Sequence, residues 1–340
     1  MRLAALAISL GTLALACAPA CAQQDTALPR TPDGKPDLQG LWTNASLTTL
    51  ERSRQFPSLV IPDEQAARME QQRAQMMRAS NRRSNPDEGA PTDGNANAGY
   101  NTFWIDPGTR YGVVKGETRA SWIVDPPDGR IPYTPEAKKH FEDRLAKVRG
   151  SWDGPEVRPQ GERCIVGFGS TGGPPMINVL YNNTYQIVQT PGHVVITAEM
   201  IHDARVIPVG EKRPAQGFDA WLGNSVGWWE GDTLVVETRG FHPDIRVRPN
   251  MGDSYYVGED ATVTERFTRV APDAIHYAFT VADAKAFTQP WRGEMTFRPS
   301  EQPMYEYACH EGNYALPGIL AGARRDDREG RITQAAGDSE

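Results

Sequence analysis

The C-terminal half of the chain alternates apolar and polar residues with a period of two, and this pattern restricts the possible folds most strongly. From Met176 onward, short runs rich in β-branched and aromatic residues are separated by turn sequences such as Pro191-Gly192 and Glu230-Gly231-Asp232. Turns of this kind join neighbouring strands into antiparallel hairpins. Strands are predicted near residues 176–181, 184–190, 193–201, 204–208, 225–229, 232–239, 262–270, 274–283, 291–298 and 304–310.

These strands follow one another without an intervening helical pattern, which predicts a mainly β fold. An antiparallel barrel of lipocalin type or a sandwich accommodates them, with extended and helical segments on the N-terminal side. We prefer the barrel, because up-and-down hairpins with one apolar face close on themselves most simply.

The 340 residues divide by pattern into four parts. Residues 1–22 are a predicted signal peptide, and residues 23–150 are an extended and helical region that is expected to pack on the sheet. Residues 151–322 form the predicted antiparallel β domain. The charged residues 323–340 are expected to be a flexible tail.

Two helices are predicted in the N-terminal region. Pro62-Asp63-Glu64 opens the first, which runs to about Ala79 and places acidic residues in its first turn, where the helix dipole favours them. Thr134 caps the second, and Pro135 takes its first position. The breaker-rich residues 81–99 form either a disordered loop or a lid, and the lack of side chains able to pack favours disorder.

The first 22 residues have the pattern of a secretory signal. Arg2 supplies a positive start, an apolar run follows, and Ala20-Cys21-Ala22 fits a small-residue cleavage site. The apolar run is shorter than the roughly 20 residues that span a bilayer, so no integral membrane segment is predicted after cleavage. The expected location is the periplasm or the medium. Lipidation at Cys17 is the alternative, although Ala14-Leu15-Ala16 matches a lipoprotein signal poorly.

Cleavage would leave Cys164 and Cys309 as the two cysteines of the exported chain. Two thiols in an oxidising compartment predict one disulfide, which would tie the start of the β domain to its last strand. A catalytic thiol is the less favoured alternative, because no dedicated base accompanies either cysteine in a known motif.

The formal net charge of −7 argues against nucleic acid or an anionic membrane as a partner, since basic residues form no stripe. The expected partner is therefore a small-molecule substrate or ligand.

Residues 202–205 are the first candidate for a site. By strand alternation, Val194, Ile196 and His202 share one face, whereas Asp203 and Arg205 share the other. We expect Asp203 to assist catalysis, and His202 and Arg205 to bind substrate, with Arg205 holding an anionic group. A plain surface ion pair between Asp203 and Arg205 is the alternative.

The segment Tyr305–Tyr314 is the second candidate. His310 beside Glu311 suits proton transfer near neutral pH, and a neighbouring disulfide would hold both rigidly. We therefore predict His310 and Glu311 as catalytic residues, with Tyr307 and Asn313 binding substrate. Alternatively, His310 satisfies a buried carbonyl and Asn313 forms a turn.

Residues 221–225 are the third candidate. Trp221 and Asn224 combine a flat aromatic ring with an amide, which suits a sugar or an aromatic ligand. A tryptophan in a β-protein is, however, more often part of the core. Glu237, Glu265 and Arg266 are further polar strand positions, and their simplest interpretation is that they face water.

No cofactor or metal site is predicted. His202, Asp203, His310 and Glu311 could be combined into a site for a divalent metal, but the chain has neither HEXXH nor a cysteine knuckle, and adjacent strand residues face opposite ways.

Several motifs together resemble a family of exported bacterial proteins without an assigned chemistry. They are RTPDGKPDLQGLW at 30–42, HDARVI at 202–207, WEGDTLVVET at 229–238, ERFTRV at 265–270, QPW at 289–291 and YEYACHEGNY at 305–314. The resemblance covers nearly the whole exported chain and implies a bacterial, periplasmic protein. That family has an aspartate at the position of Asn224, so a role that needs a charge there does not transfer.

The three candidate segments predict an enzyme, if they meet in one hollow. The predicted activity is that of a periplasmic hydrolase or lyase, which acts on a small carbohydrate-like or aromatic substrate by acid–base chemistry. A non-catalytic, lipocalin-like binding protein is the alternative.

Overall fold

The computed structural model describes residues 27–80, 87, 107–150, 152–167, 172–210, 220–243, 247–250 and 253–331. The strands are β1 (Gly40–Thr43), β2 (Val113–Val114), β3 (Glu117–Thr118), β4 (Ile123–Asp125), β5 (Thr184–Gln189), β6 (His193–Ala198), β7 (Ala204–Pro208), β8 (Asn224–Glu230), β9 (Thr233–Arg239), β10 (Val247–Asn250), β11 (Asp253–Tyr256), β12 (Thr262–Ala271), β13 (Ala274–Ala282) and β14 (Trp291–Pro299). The helices are α1 (Asp63–Ser80), α2 (Pro135–Gly150) and α3 (Ala315–Arg328). The predicted signal peptide and residues 81–99, apart from Asp87, lie outside the described residues.

Nine strands form a nearly closed antiparallel barrel in the order β7-β6-β5-β1-β14-β13-β12-β9-β8. The two ends of this sheet meet where Val209 forms a bridge with Gly227, and the Gly210 amide donates to the Gly227 carbonyl at 2.8 Å. The short strand β4 pairs with β14 outside the ring order. The predicted mainly β, antiparallel barrel class is confirmed.

Strand β1 lies between β5 and β14, where Trp42 is in register with Tyr185 on one side and Pro299 on the other. The region before residue 150, which is expected from the sequence to pack on the sheet, therefore also supplies a central strand of it. Four residues are too few for alternation to reveal a strand, and their partners lie more than a hundred residues away in sequence.

Aromatic side chains fill the barrel interior. The ring of Tyr185 stacks on Phe297 with centroids 5.5 Å apart, and Tyr277 lies 5.0 Å from both Phe297 and Phe267. All four side chains are buried. An interior of this size is just wide enough for side chains to fill, so the barrel has a packed core.

Helices α1 and α2 confirm the two helices predicted from their starts. The Thr134 hydroxyl accepts a hydrogen bond from the Ala137 amide at 3.1 Å, as an N-cap does. Ala137 is buried in the main core, which packs α2 on the sheet. None of the described helices is long and apolar enough to cross a bilayer.

Residues 323–328, which the sequence pattern assigns to a flexible tail, belong to the helix α3. Leu316, Ile319, Leu320 and Ala323 recur at helical spacing and are half-buried. Pro317, Gly318 and Gly322 obscure this pattern in the sequence. Residues 332–340 lie outside the described residues.

The predicted strand at 176–181 is also wrong, since this stretch has no sheet partner. Met176, Ile177 and Val179 are buried, whereas Leu180 is exposed, and side chains bond to part of the backbone. The Asn183 side chain, for example, accepts from the Val179 amide at 2.8 Å and donates to the Val179 carbonyl at 2.9 Å. The apolar pattern at residues 176–181 therefore reflects burial and not strand pairing.

Candidate functional site

The turn between β6 and β7 contains two successive residues with left-handed backbone. Ile201 has φ 62° and His202 has φ 57°, within the 3-10 turn Met200–His202. This conformation is uncommon for any residue except glycine, and for a β-branched residue it is a true outlier. Local strain of this kind is typical of functional sites.

The turn also interrupts the alternation of side chains that runs along β6, and so changes which side chains of β7 face the barrel interior. Arg205 is in register with Ile196, so both point into the barrel. The predicted face assignment, which separated Arg205 from Ile196, is therefore wrong, because it continued one strand through a turn.

Arg205 forms a buried ion pair with Glu265. Its Nη1 lies 3.1 Å from Glu265 Oε1, and its Nη2 contacts Oε2. The two side chains are 4% and 0% exposed. Arg205 Nη2 also reaches the hydroxyls of Ser225 at 3.3 Å and Thr238 at 3.4 Å. The guanidinium is thus neutralised from inside the protein, which does not support the predicted role of Arg205 in holding an anionic substrate group.

Tyr277 completes this network. Its hydroxyl donates to Glu265 Oε1 at 2.7 Å and accepts from the Met176 amide at 2.9 Å. Burial and the nearby Glu265 charge raise the pKa of Tyr277 well above its usual value. Burial opposes the charge on Arg205, but the carboxylate outweighs it and raises the pKa of Arg205. The network therefore keeps a charged pair beside a neutral phenol.

The network extends toward β1 through Asn44. The Asn44 amide donates to the Met176 carbonyl at 3.2 Å and to the Tyr185 hydroxyl at 3.3 Å. A side chain on Gly173 would approach Arg205 Nη1 to 3.3 Å, so the chain near Gly173 lies directly against the guanidinium.

Antiparallel topology explains why residues so distant in sequence meet. Arg205 and Ser225 lie at the starts of β7 and β8, whereas Thr238 lies at the end of β9. The start of β8 adjoins the end of its antiparallel neighbour β9, and the starts of β7 and β8 lie at the same end because these two strands run parallel where the ring closes, at the Val209–Gly227 bridge. We call this end of the barrel the Arg205 end.

Residues 304–313, here named the strap, lie on the turn between β6 and β7. The Tyr305 amide donates to Glu199 Oε1 at 3.1 Å, and the Tyr307 amide donates to His202 Nε2 at 3.3 Å. These backbone groups bond to side chains and pair with no strand, so the predicted strand at 304–310 is wrong. The strap nevertheless brings the second candidate segment to the first.

The predicted disulfide between Cys164 and Cys309 is confirmed, with Cα atoms 5.8 Å apart and a sequence separation of 145. Because Cys309 belongs to the strap, the bond ties the strap, and not the last strand, to the segment between α2 and β5. Asn313 strengthens this junction by donating to the Glu162 carbonyl at 2.7 Å.

The two predicted catalytic residues of the strap, His310 and Glu311, are exposed. Within the described ranges, no hydrogen bond or ion pair joins the His310 side chain to a carboxylate. Tyr307 is half-buried, and burial raises the pKa of its phenol. On the turn, Asp203 Oδ2 accepts from the Gly167 amide at 3.2 Å.

The third candidate segment reaches the Arg205 end through Ser225. Trp221 stacks on His242 with centroids 4.0 Å apart and also packs against the core, so its ring is largely occupied. Asn224 precedes Ser225 in β8 and therefore faces away from Arg205. The structure thus does not bring Asn224 beside Arg205.

Sequence reasoning missed Glu265 and Tyr277. The interpretation that Glu265 faces water is wrong, because this side chain is completely buried. The signal was present in β12, where Glu265 occupies the same face as Val263 and Phe267. A carboxylate in an apolar row predicts a buried charge, which needs a partner.

A second polar cluster covers the outer wall of the barrel. Glu294 contacts Lys115 at 2.8 Å, Arg119 at 2.9 Å and His276 at 3.0 Å. The His276 hydrogen bond and Lys115 lower the pKa of Glu294 to about 2, against the opposing effect of burial. Glu117 also pairs with Arg119 at 3.1 Å. The cluster fastens the β2–β3 hairpin to β13 and β14.

The described residues contain no group of three or more His, Cys, Asp or Glu side chains placed to hold a metal ion. The fold and the Arg205 end define a disulfide-linked, antiparallel β-barrel protein with a buried ion pair. No protein-family model matches the chain, and no curated protein or solved structure is significantly similar to it. The motif resemblance therefore stays a prediction.

Proposed function

We propose that the protein is an exported hydrolase or lyase that acts at the Arg205 end on a small carbohydrate-like or aromatic substrate. Export is supported by the sequence pattern of residues 1–22 and by the Cys164–Cys309 disulfide. Acid–base chemistry is assigned to His310 and Glu311 on the strap and to Asp203 on the adjoining turn, and His202 on that turn is assigned to substrate binding.

The observation that carries this proposal is the buried Arg205–Glu265 pair directly inside the end where the strap and the turn meet. A desolvated ion pair is often no more stabilising than well-packed apolar residues. Its presence in a filled core is therefore better explained by function than by stability. The filled interior also disfavours a carrier of lipocalin type, which needs an open apolar lumen.

The first test is a thermal-shift screen of the chain from Gln23 onward against sugars and phenolic compounds, because a ligand of the native state raises the midpoint. Ligands that bind are then assayed for turnover with His310→Ala and His202→Ala. We expect at least one variant to lose about 10²- to 10⁴-fold in rate, the usual contribution of a general acid or base.

His193→Ala is the matched control, since His193 is exposed at the start of β6, on the opposite end of that strand from the turn. It should leave turnover unchanged. Normal turnover by both test variants would refute the assigned chemistry. A ligand that binds all variants and is never converted would support the non-catalytic binding protein.

A further inference from the structure

We propose that the Cys164–Cys309 disulfide is a reversible latch, which a dithiol reductant opens to release the strap from the turn that carries His202, and α3 together with the strap. This inference concerns the mobility of the C-terminal arm, defined as residues 301–331. It does not depend on the proposed chemistry, because opening is measured without substrate.

The C-terminal arm is held weakly apart from its covalent bond. None of its residues, all of which the structure describes, is buried. Its contacts with the rest of the protein include the two strap amides on Glu199 and His202, and Arg324, which donates to the Trp152 carbonyl at 2.7 Å. A segment with few buried apolar contacts opens at low free energy, so the disulfide is the principal restraint.

The two cysteine residues differ in exposure, which gives the exchange a direction. Cys309 is half-buried on the strap, whereas Cys164 is only 5% exposed. A dithiol thiolate therefore reaches Cys309 Sγ first. Attack there forms a mixed disulfide and breaks the bond to Cys164, which leaves as a thiolate.

Asn313 is placed to stabilise that leaving group. Its Nδ2 lies 3.5 Å from Cys164 Sγ. The second thiol of the reductant then attacks the mixed disulfide, so the reductant leaves as a disulfide and both cysteines end as thiols, with the two protons of the dithiol. Re-oxidation reverses these steps.

Opening uncovers the turn. When the strap departs, Glu199 and His202 lose the two amide donors that it provides. Whether the Cys164–Cys309 disulfide is intact thus decides whether His202 Nε2 accepts the hydrogen bond from the Tyr307 amide.

Hydrogen–deuterium exchange of the whole chain tests the latch, with and without dithiothreitol. We expect faster exchange in residues 301–331 and 199–205 after reduction, and unchanged exchange in β12, β13 and β14. The double variant Cys164→Ser/Cys309→Ser should show the same pattern without reductant. Unchanged exchange in the arm, or faster exchange throughout the barrel, would overturn the proposal.

The rate of reduction tests the role of Asn313. Because Asn313→Ala also removes the hydrogen bond to the Glu162 carbonyl, arm opening is measured by hydrogen exchange in both proteins. At equal opening, the variant should be reduced by dithiothreitol roughly threefold to tenfold more slowly than the parent, the range expected for one lost hydrogen bond. The two proteins should be reduced equally fast in concentrated guanidinium chloride, where no folded contact persists. Equal or faster reduction of the folded variant would contradict a leaving-group role.

Discussion

At the scale of single residues, the Arg205–Glu265 pair is the most demanding feature of the core. Glu265→Leu should lower the free energy of unfolding by about 3–5 kcal/mol, because it leaves a buried arginine unpaired. Arg205→Met/Glu265→Leu should cost less than Glu265→Leu alone, since no unpaired charge remains. Urea unfolding measures both values.

The exposed pair formed by Arg266 and Glu230 is a matched control for the double-mutant cycle of Arg205 and Glu265. Arg266 follows Glu265 in sequence but lies on the outer face, where both partners are about half exposed, at 44% and 48%. Coupling in such a pair should stay within about 1 kcal/mol. Equal coupling in the two cycles would mean that burial of Arg205 and Glu265 has no energetic consequence.

The lowered pKa of Glu294 predicts that the stability of the fold depends on pH. Its pKa falls from 4.5 to about 2 on folding, mainly through the His276 hydrogen bond. A lowered carboxyl pKa stabilises the fold above the unfolded pKa, and this contribution disappears as the pH falls through the folded pKa. The stability difference between the parent and Glu294→Gln should therefore reach at most about 3 kcal/mol above pH 5 and shrink toward pH 2.

Urea unfolding at pH 7, 4 and 2.5 measures this difference. The exposed carboxylate Glu301 supplies the control, because Glu301→Gln should change stability little at any of these pH values. A difference for Glu294→Gln that is constant across the series would show that ionisation of Glu294 is not the cause.

At the scale of elements, the β6–β7 turn stores local strain. Ile201→Gly should leave the free energy of unfolding unchanged or raise it slightly, because relief of the left-handed conformation, worth about 1–2 kcal/mol, offsets the lost side chain. Val206→Gly, at an exposed β-branched position within β7, should instead cost roughly 0.5–1 kcal/mol. Thermal and urea unfolding measure the stability of the two variants. Equal losses of unfolding free energy in Ile201→Gly and Val206→Gly would argue against strain at Ile201.

At this scale, local sequence patterns predicted some elements and not others. The hairpins of β5 with β6 and of β12 with β13 were predictable, because alternation and turn residues are local signals. The cap of α2 was predictable for the same reason. The turn at Ile201 was not, since no glycine or proline marks it, and a left-handed isoleucine contradicts local preference.

At the scale of the whole molecule, closure of the barrel brings residues of the candidate site to one end. The sequence predicted that segments 202–205, 221–225 and 305–314 matter; in the structure Arg205 contacts Ser225, and Tyr307 of the strap contacts His202. The sequence could not predict that Glu265 neutralises Arg205 or that Asn224 faces away. Those outcomes depend on strand register across the sheet, which no local pattern encodes.

The most direct measurement of this arrangement is hydrogen–deuterium exchange with the sugar or phenolic compound that gives the largest thermal shift. Binding at the Arg205 end should slow exchange in residues 199–205, 221–225 and 305–313 together, and leave the β2–β3 hairpin unaffected. Protection confined to the hairpin and the Glu294 cluster, or the absence of any stabilising compound in the panel, would contradict a ligand site at this end of the barrel.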